Sequence, residues 1–219
     1  MSNKSAILLV TCCLERSRYD MLKHVVDSIM PIVSDVTVFD NASIVPETLS
    51  LLSRFSSVFR ADRNVGYWSA IDWWLESLAQ DPPDYTYIIE SDMVHYDIQK
   101  LSLCESYLST HPDVGAIRLH TYSIANRHLY DKDRPQKDSK RNLWQSHTNK
   151  ASGEPVTFEQ AQEPEFQLIW KTNFLTQLPA LNRYTAMRTV FQTLRTMKTF
   201  SELDFQKKLP CDTQDSGHP

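Results

Sequence analysis

Glycine is scarce in this chain of 219 residues: Gly66, Gly115, Gly153 and Gly217 are the full set. A glycine-rich phosphate loop needs several glycines close together, so that backbone N–H groups approach a phosphate with no Cβ in the way. Neither a dinucleotide-binding fingerprint nor a Walker loop can be built from four scattered residues. Positive charge is in the minority too, with 23 Lys and Arg against 27 Asp and Glu and a net charge of −4. The basic residues form no cluster to meet a polyanionic backbone, which sets nucleic acid aside as a partner. No stretch approaches the roughly 18–20 apolar residues that a membrane-spanning helix requires. Ala6–Leu14 is apolar but too short to span, and no small-residue cleavage site follows it. Cys12, Cys13, Cys104 and Cys211 have neither a disulfide-framework nor a zinc spacing. A reducing, cytoplasmic setting is expected from that usage.

What remains is ordinary in bulk. A hydrophobic content of 41% and a charged content of 23% suit a globular protein with one well-buried core. With no internal repeat and no linker, residues 1–219 read as a single domain. Ala6–Cys13 is a continuous apolar run of strand length, as expected of a strand covered on both faces. Leu22, Val25, Val26, Ile29 and Val33 then recur at helical spacing. Asp35–Phe39 predicts a second strand, and Pro46 suits the first turn of a helix through Leu49, Leu52 and Phe55. Ser57–Arg60 is a brief third strand. A helix carrying Ile71, Trp74, Leu75 and Leu78 on one stripe follows, stopped by Asp81-Pro-Pro-Asp84. Tyr85–Ile89 is strand four, and a helix over Ile98–Leu108 leads to strand five, Val114–Leu119. Strands alternating with helices predict an α/β fold, a mostly parallel central sheet flanked by helices.

The rest of the chain is less regular. Asn126–Glu154 is a long polar loop with seven Lys or Arg against four Asp or Glu. It is either a basic flap over a bound ligand or a disordered segment. Phe166–Trp170 predicts a strand, and a helical region follows Pro179 with Tyr184, Met187, Val190, Phe191 and Leu194 on its apolar side.

In an open parallel sheet, ligands bind beyond the carboxyl ends of the strands. That edge collects Thr11–Arg16, Asp40–Ser43, Asp62–Gly66 and Glu90–Asp92. Glu90-Ser91-Asp92 carries the sharpest chemistry. Carboxylates at i and i+2 leaving a buried strand can converge on one hard cation, which prefers oxygen ligands. The plain alternative is a turn in which Asp92 caps the next helix. With no glycine cradle available, a carboxylate-held cation is the remaining way to neutralise a diphosphate.

The order and spacing of these segments resemble a family 2 type glycosyltransferase of the GT-A fold, a nucleotide-diphospho-sugar transferase. Ile7–Cys13 is similar to the family's opening strand, and Phe39-Asp-Asn-Ala-Ser43 to its VDNAS motif. Arg63-Asn-Val-Gly-Tyr67 followed by Ala70 resembles its N-x-G-x-x-x-A segment, and Glu90-Ser-Asp92 stands where it keeps a D-x-D metal motif, with Glu in the first position.

The resemblance implies a metal-dependent hexosyl- or deoxyhexosyltransferase. It would move a sugar from a nucleoside-diphosphate donor, UDP-linked by preference, to a glycan hydroxyl. Residues 1–119 would be the nucleotide-sugar-binding half and 120–219 the acceptor-binding half. Thr11 and Glu15 would border the base and ribose pocket, and Asp40 would hydrogen-bond the uracil or ribose with Asn41 beside it. Arg63, Asn64 and Gly66 would line the nucleotide pocket. For Asp40 and Asn41 the alternative is an Asx turn, and for Asn64 and Gly66 an ordinary turn closing onto a helix. Asp92 would be the chief ligand of Mn²⁺ or Mg²⁺, with Glu90 reaching the donor ribose or a metal-bound water and Ser91 between them. His218 could complete the metal site. An inverting mechanism would take Glu202 as general base, with Asp204 as the second choice, although acidic residues after Ser201 equally describe a well-started helix.

Two other functions share parts of this pattern. A sugar nucleotidyltransferase has the same sheet and metal but carries a Gly-rich, Lys-containing loop after its first strand, where Cys12-Cys-Leu-Glu-Arg16 has no glycine. A glycan-binding protein that kept the fold and lost the chemistry would bind without turnover.

Overall fold

Alternation along β1 (Ser5–Thr11) sets the architecture. Ile7 and Leu9 belong to one apolar cluster, Leu8 and Val10 to another, and all four are buried. A strand buried on both sides must lie inside a sheet with helices on each face. The computed structural model describes residues 4–33, 35–95, 98–119, 121–123, 158–163, 166–172 and 180–196.

The elements after β1 are α1 (Arg16–Ile29), β2 (Thr37–Asp40), α2 (Glu47–Leu52), β3 (Ser57–Arg60), α3 (Tyr67–Ser77) and β4 (Tyr85–Glu90). Then come β5 (Met93–His95), a 3₁₀ turn over Ile98–Lys100, α4 (Leu101–Thr110), β6 (Ala116–Arg118) and β7 (Thr121–Ser123). Last are β8 (Phe158–Glu163), β9 (Phe166–Thr172), β10 (Ala180–Arg183) and α5 (Tyr184–Thr196). The main sheet has six strands in the order β3-β2-β1-β4-β10-β6. β3, β2, β1 and β4 run parallel, and β10 lies antiparallel between β4 and β6. β5 pairs with β7, and β8 with β9, in two small antiparallel sheets.

The helices divide between the faces as the strand alternation requires. α1, α2 and α4 cover one face through Leu22, Val26, Leu52, Cys104 and Leu108. α3 and α5 cover the other through Ile71, Trp74, Phe191 and Leu194. α5 is tied to α3 by ion pairs from Arg195 to Asp72 and Glu76 and from Arg188 to Glu76. β3 forms an exposed edge, where the Phe59 ring stacks on Trp73 at 4.1 Å.

The α/β organisation expected from the sequence is present, with two differences. Val114–Leu119 does form a strand, but β6 pairs with β10 rather than directly with β4. Ala180–Arg183, within the region expected to be helical, is that intervening strand. Its arginine explains why the chain settles there. The Arg183 guanidinium donates to the carbonyls of Val114, His111 and Leu108, tying β10 to the C-terminal end of α4 and the turn that follows it. Among the described residues no helix is long and apolar enough to cross a membrane.

Candidate functional site

Register brings the strand ends together. Val10 pairs with Glu90 and Thr11 with Asp40, so the segments following β1, β2 and β4 leave the sheet side by side. They enclose a cavity of about 670 Å³, a volume suited to a small organic ligand. Thr11, Glu15, Asn41, Asn64, Gly66, Glu90, Ser91 and Asp92, all expected from the sequence, line it. Val10, Cys12, Leu14, Arg18 and Tyr67 complete the wall.

One side is built from side-chain amides. Asn41 donates from Nδ2 to Asn64 Oδ1 at 2.9 Å and accepts the Val65 N–H on its own Oδ1 at 2.7 Å. Asn64 Oδ1 also accepts the Gly66 N–H at 2.8 Å, a local turn of the kind that asparagine favours. Asn41 itself is anchored by its backbone N–H, which donates to Thr11 O at 2.8 Å. Two asparagines thus fix the loop after β3 against the ends of β1 and β2. Gly66 enters α3 with φ of 88° and ψ of 156°, and a Cβ there would meet nothing within 4 Å. It is the backbone conformation, not a close approach from the protein, that calls for glycine.

The wall also carries acidic groups. Glu90 ends β4 and accepts a hydrogen bond from Tyr67 Oη at 3.2 Å. Asp92 Oδ2 pairs with the Arg18 guanidinium at 3.2 Å. The acidic turn leads into β5, and α4 begins later with Lys100 at its N-cap position, so Asp92 does not cap that helix. In the wall as a whole, the carboxylates of Glu15, Glu90 and Asp92 face one guanidinium, an excess of two negative charges. A diphosphate would be repelled by such a cavity unless a cation accompanied it. Among the described residues no group of three or more His, Cys, Asp or Glu is placed to hold a metal ion. Glu90 and Asp92 are the two carboxylates at the end of β4 that could act as ligands of a hard cation, which can take as few as one or two from the protein.

No protein-family model and no curated protein matches this chain in sequence. Its backbone does match solved structures. A mannosyltransferase from Pyrobaculum calidifontis, solved in complex with GDP-Man and Mn²⁺, superposes with a TM-score of 0.51 at 15% identity. The match covers 99% of this chain and 51% of that one. The chain has the GT-A fold. Glucosyl-3-phosphoglycerate synthase from Mycobacterium tuberculosis, in complex with Mg²⁺ and uridine-diphosphate, is similar at a TM-score of 0.45 and 15% identity, over 84% of this chain and 58% of that one. The chain thus spans only about half the length of these GT-A structures.

Not every expected residue reaches the GT-A cavity. Asp40 is fully buried. Its Oδ1 accepts the Ser43 N–H at 3.0 Å, and its Oδ2 lies 3.4 Å from Arg60 without a hydrogen bond among the described residues. The alternation of β2 explains this. Val38, two residues back, packs under α1 and α2, and Asp40 follows on the same side of the strand. The local turn is thus the arrangement adopted by Asp40, and Asn41 is the residue of this pair that lines the cavity. Arg63 is exposed and outside the lining. Glu202, Asp204 and His218 lie outside the described residues, as does the 126–154 loop.

Arg18 lies beyond the strand-end segments expected to form the site, while Cys12, within one of them, and Tyr67, in the Arg63–Tyr67 motif, had no expected role. Arg18 had a signal: a cation in the first turn of α1 opposes the helix dipole, a local conflict that calls for a distant partner. Cys12 is half-buried, and its Sγ receives a contact from Asn64 Nδ2 at 3.4 Å. Burial pushes its thiol above the ordinary value; Asp40 and Cys13 add to the shift, and Arg18 opposes it. A raised value means little thiolate at neutral pH. Iodoacetamide should therefore label Cys12 more slowly than free cysteine at pH 8, and faster as the pH climbs past the ordinary thiol range. A ligand filling the cavity should slow the labelling further. Peptide mass mapping reads both effects, and labelling at the free-cysteine rate would contradict this environment.

Proposed function

We propose that this protein is a metal-dependent glycosyltransferase, transferring a sugar from a nucleoside-diphosphate donor to a glycan hydroxyl with inversion. The observation that carries this reading is a cavity at the carboxyl edge of a GT-A sheet whose wall includes Glu90, Asp92 and the hydrogen-bonded Asn41–Asn64 pair. A divalent cation bound there would neutralise the donor diphosphate and assist its departure as a leaving group.

The chain's own residues supply the remaining functions. Asp92 and Glu90 hold the cation, Asp92 chiefly, while Tyr67 Oη steadies Glu90. Asn41 and Asn64 hold the loop through Gly66 in place, so that the nucleotide meets a fixed wall rather than a mobile one. Thr11 and Glu15 border the base and ribose. Residues 1–119 bind the donor and 120–219 the acceptor. Glu202 acts as the base that removes the acceptor proton, with Asp204 as second choice, and His218 adds a cation ligand. Asp40, assigned by the resemblance to the uracil or ribose, also holds the turn that carries Asn41.

The direct test is ³¹P NMR of the protein with UDP- and GDP-sugars, Mg²⁺ and a mixed glycan acceptor panel. Release of nucleoside diphosphate coupled to a new glycosidic product supports the reading. Tight nucleotide binding with no release on any acceptor would favour a binding protein that has lost the chemistry.

A further inference from the structure

Arg16 and Arg18 both sit in the first turn of α1, yet their surroundings differ. Arg16 is satisfied locally: it pairs with Asp20 at 3.1 Å and Glu47 at 2.6 Å, and lies 4.6 Å from the Tyr19 ring centroid. Arg18 instead pairs with Asp92, a second lining residue of the cavity and the chief cation ligand of the proposed reading. The guanidinium thus occupies an oxygen that a divalent ion would need. The pair is partly open to solvent, with side-chain exposures of 48% and 27%, and such pairs are opened at little cost. Once released, the guanidinium is the one basic side chain in the described wall, beside a site that would hold a diphosphate. Its planar fork matches phosphate oxygens better than an ammonium does.

We propose that Arg18 is a displaceable counter-ion that exchanges partners when the cavity fills. In the empty protein it neutralises Asp92 and limits repulsion among the acidic groups. When the donor arrives with its cation, Asp92 passes to the cation and Arg18 turns to the diphosphate. The cation and nucleotide are thereby coupled: each provides the partner that the other's arrival removes. This rests on the proposed nucleotide-sugar reading of the site.

The exchange makes predictions of opposite sign for one substitution. In Arg18→Met, Mn²⁺ alone should bind up to about fivefold more tightly, because Asp92 is no longer occupied. Binding of UDP with saturating Mn²⁺ should weaken by at least about tenfold, because a charge-assisted contact to phosphate is gone. Electron paramagnetic resonance counts free Mn²⁺ in the first arm, and titration calorimetry gives the nucleotide affinity in the second. Arg18→Lys, which keeps the charge but not the fork, should fall between wild type and Arg18→Met in the nucleotide arm and stay near wild type in the metal arm. A melting curve of each variant checks that the fold is intact. Loss of both affinities, or no change in either, with the wild type binding UDP normally, would overturn the exchange and leave the proposed function standing. A wild-type protein that binds no nucleotide under any condition would remove both.

Discussion

Asp92→Asn is expected to lower sugar transfer by about a hundred- to a thousandfold, the loss typical of removing one preorganised group that stabilises developing charge. The same variant should melt within about 2 °C of the wild type, since the side chain is part-exposed and its partner Arg18 more so. The amide keeps the shape and one acceptor oxygen, but it takes a full charge from the side of the cavity that would hold the cation. Initial rates at saturating donor, measured across a Mg²⁺ titration, separate the two consequences. Partial recovery at high Mg²⁺ would report weakened cation binding, and a loss that persists would report a cation held in the wrong place. Activity within about threefold of wild type at all concentrations would remove Asp92 from the chemistry.

The second large effect concerns stability. Arg60→Met should cost about 3–5 kcal/mol, because it leaves the buried Asp40 carboxylate without its cation. The reverse deletion, Asp40→Ala, should cost less, about 1.5–3 kcal/mol, because the Arg60 it strands is 43% exposed and can turn to water. The order of the two is the informative part. A pair in which both partners were buried would give similar losses, and a surface pair would give almost none. Arg60 also donates to the Ser43 carbonyl at 2.7 Å, and Ser43 Oγ in turn accepts the Cys13 N–H at 2.7 Å. Loss of Arg60 should therefore loosen the turn beside Asn41 and raise the donor KM as well. Urea unfolding of both variants gives the ranking, and a cheaper Arg60→Met would contradict the burial asymmetry.

These two carboxylates show what the sequence could and could not reveal. Both were legible as acidic groups at strand ends, because strand and helix periods in the first half are local patterns. Ile7–Val10 and the stripe Leu22–Ile29 announce themselves within a few residues. Which side of the sheet a strand-end residue takes is also local in principle, since alternation from Val38 places Asp40 under α1 and α2. The family resemblance assigned Asp40 to the uracil or ribose, a role that alternation alone does not suggest. Partners far apart in sequence are harder. Arg18 meets Asp92 across 74 residues, and β10 enters the sheet through Tyr85 and Tyr87 of β4 on one side and Ala116 and Ile117 of β6 on the other. Four residues, one of them Asn182, give too short a pattern to stand out as a strand beside the strongly helical run that follows. The amide pairing of Asn41 with Asn64 was hidden for the same reason. Each residue looked like a turn former, and only the fold shows that Asn41 spends its side chain on a different loop.

A cavity that admits a diphosphate only in company with a cation has a distinct signature in thermal denaturation. Mn²⁺ alone and UDP alone, each at millimolar concentration, should leave the melting temperature nearly unchanged. Together, at about a hundred times the joint dissociation constant, they should add about 2.7 kcal/mol to stability, a rise of several degrees. A full shift with UDP in the presence of a chelator, or no shift under any combination of sugar nucleotide and divalent ion, would contradict the account.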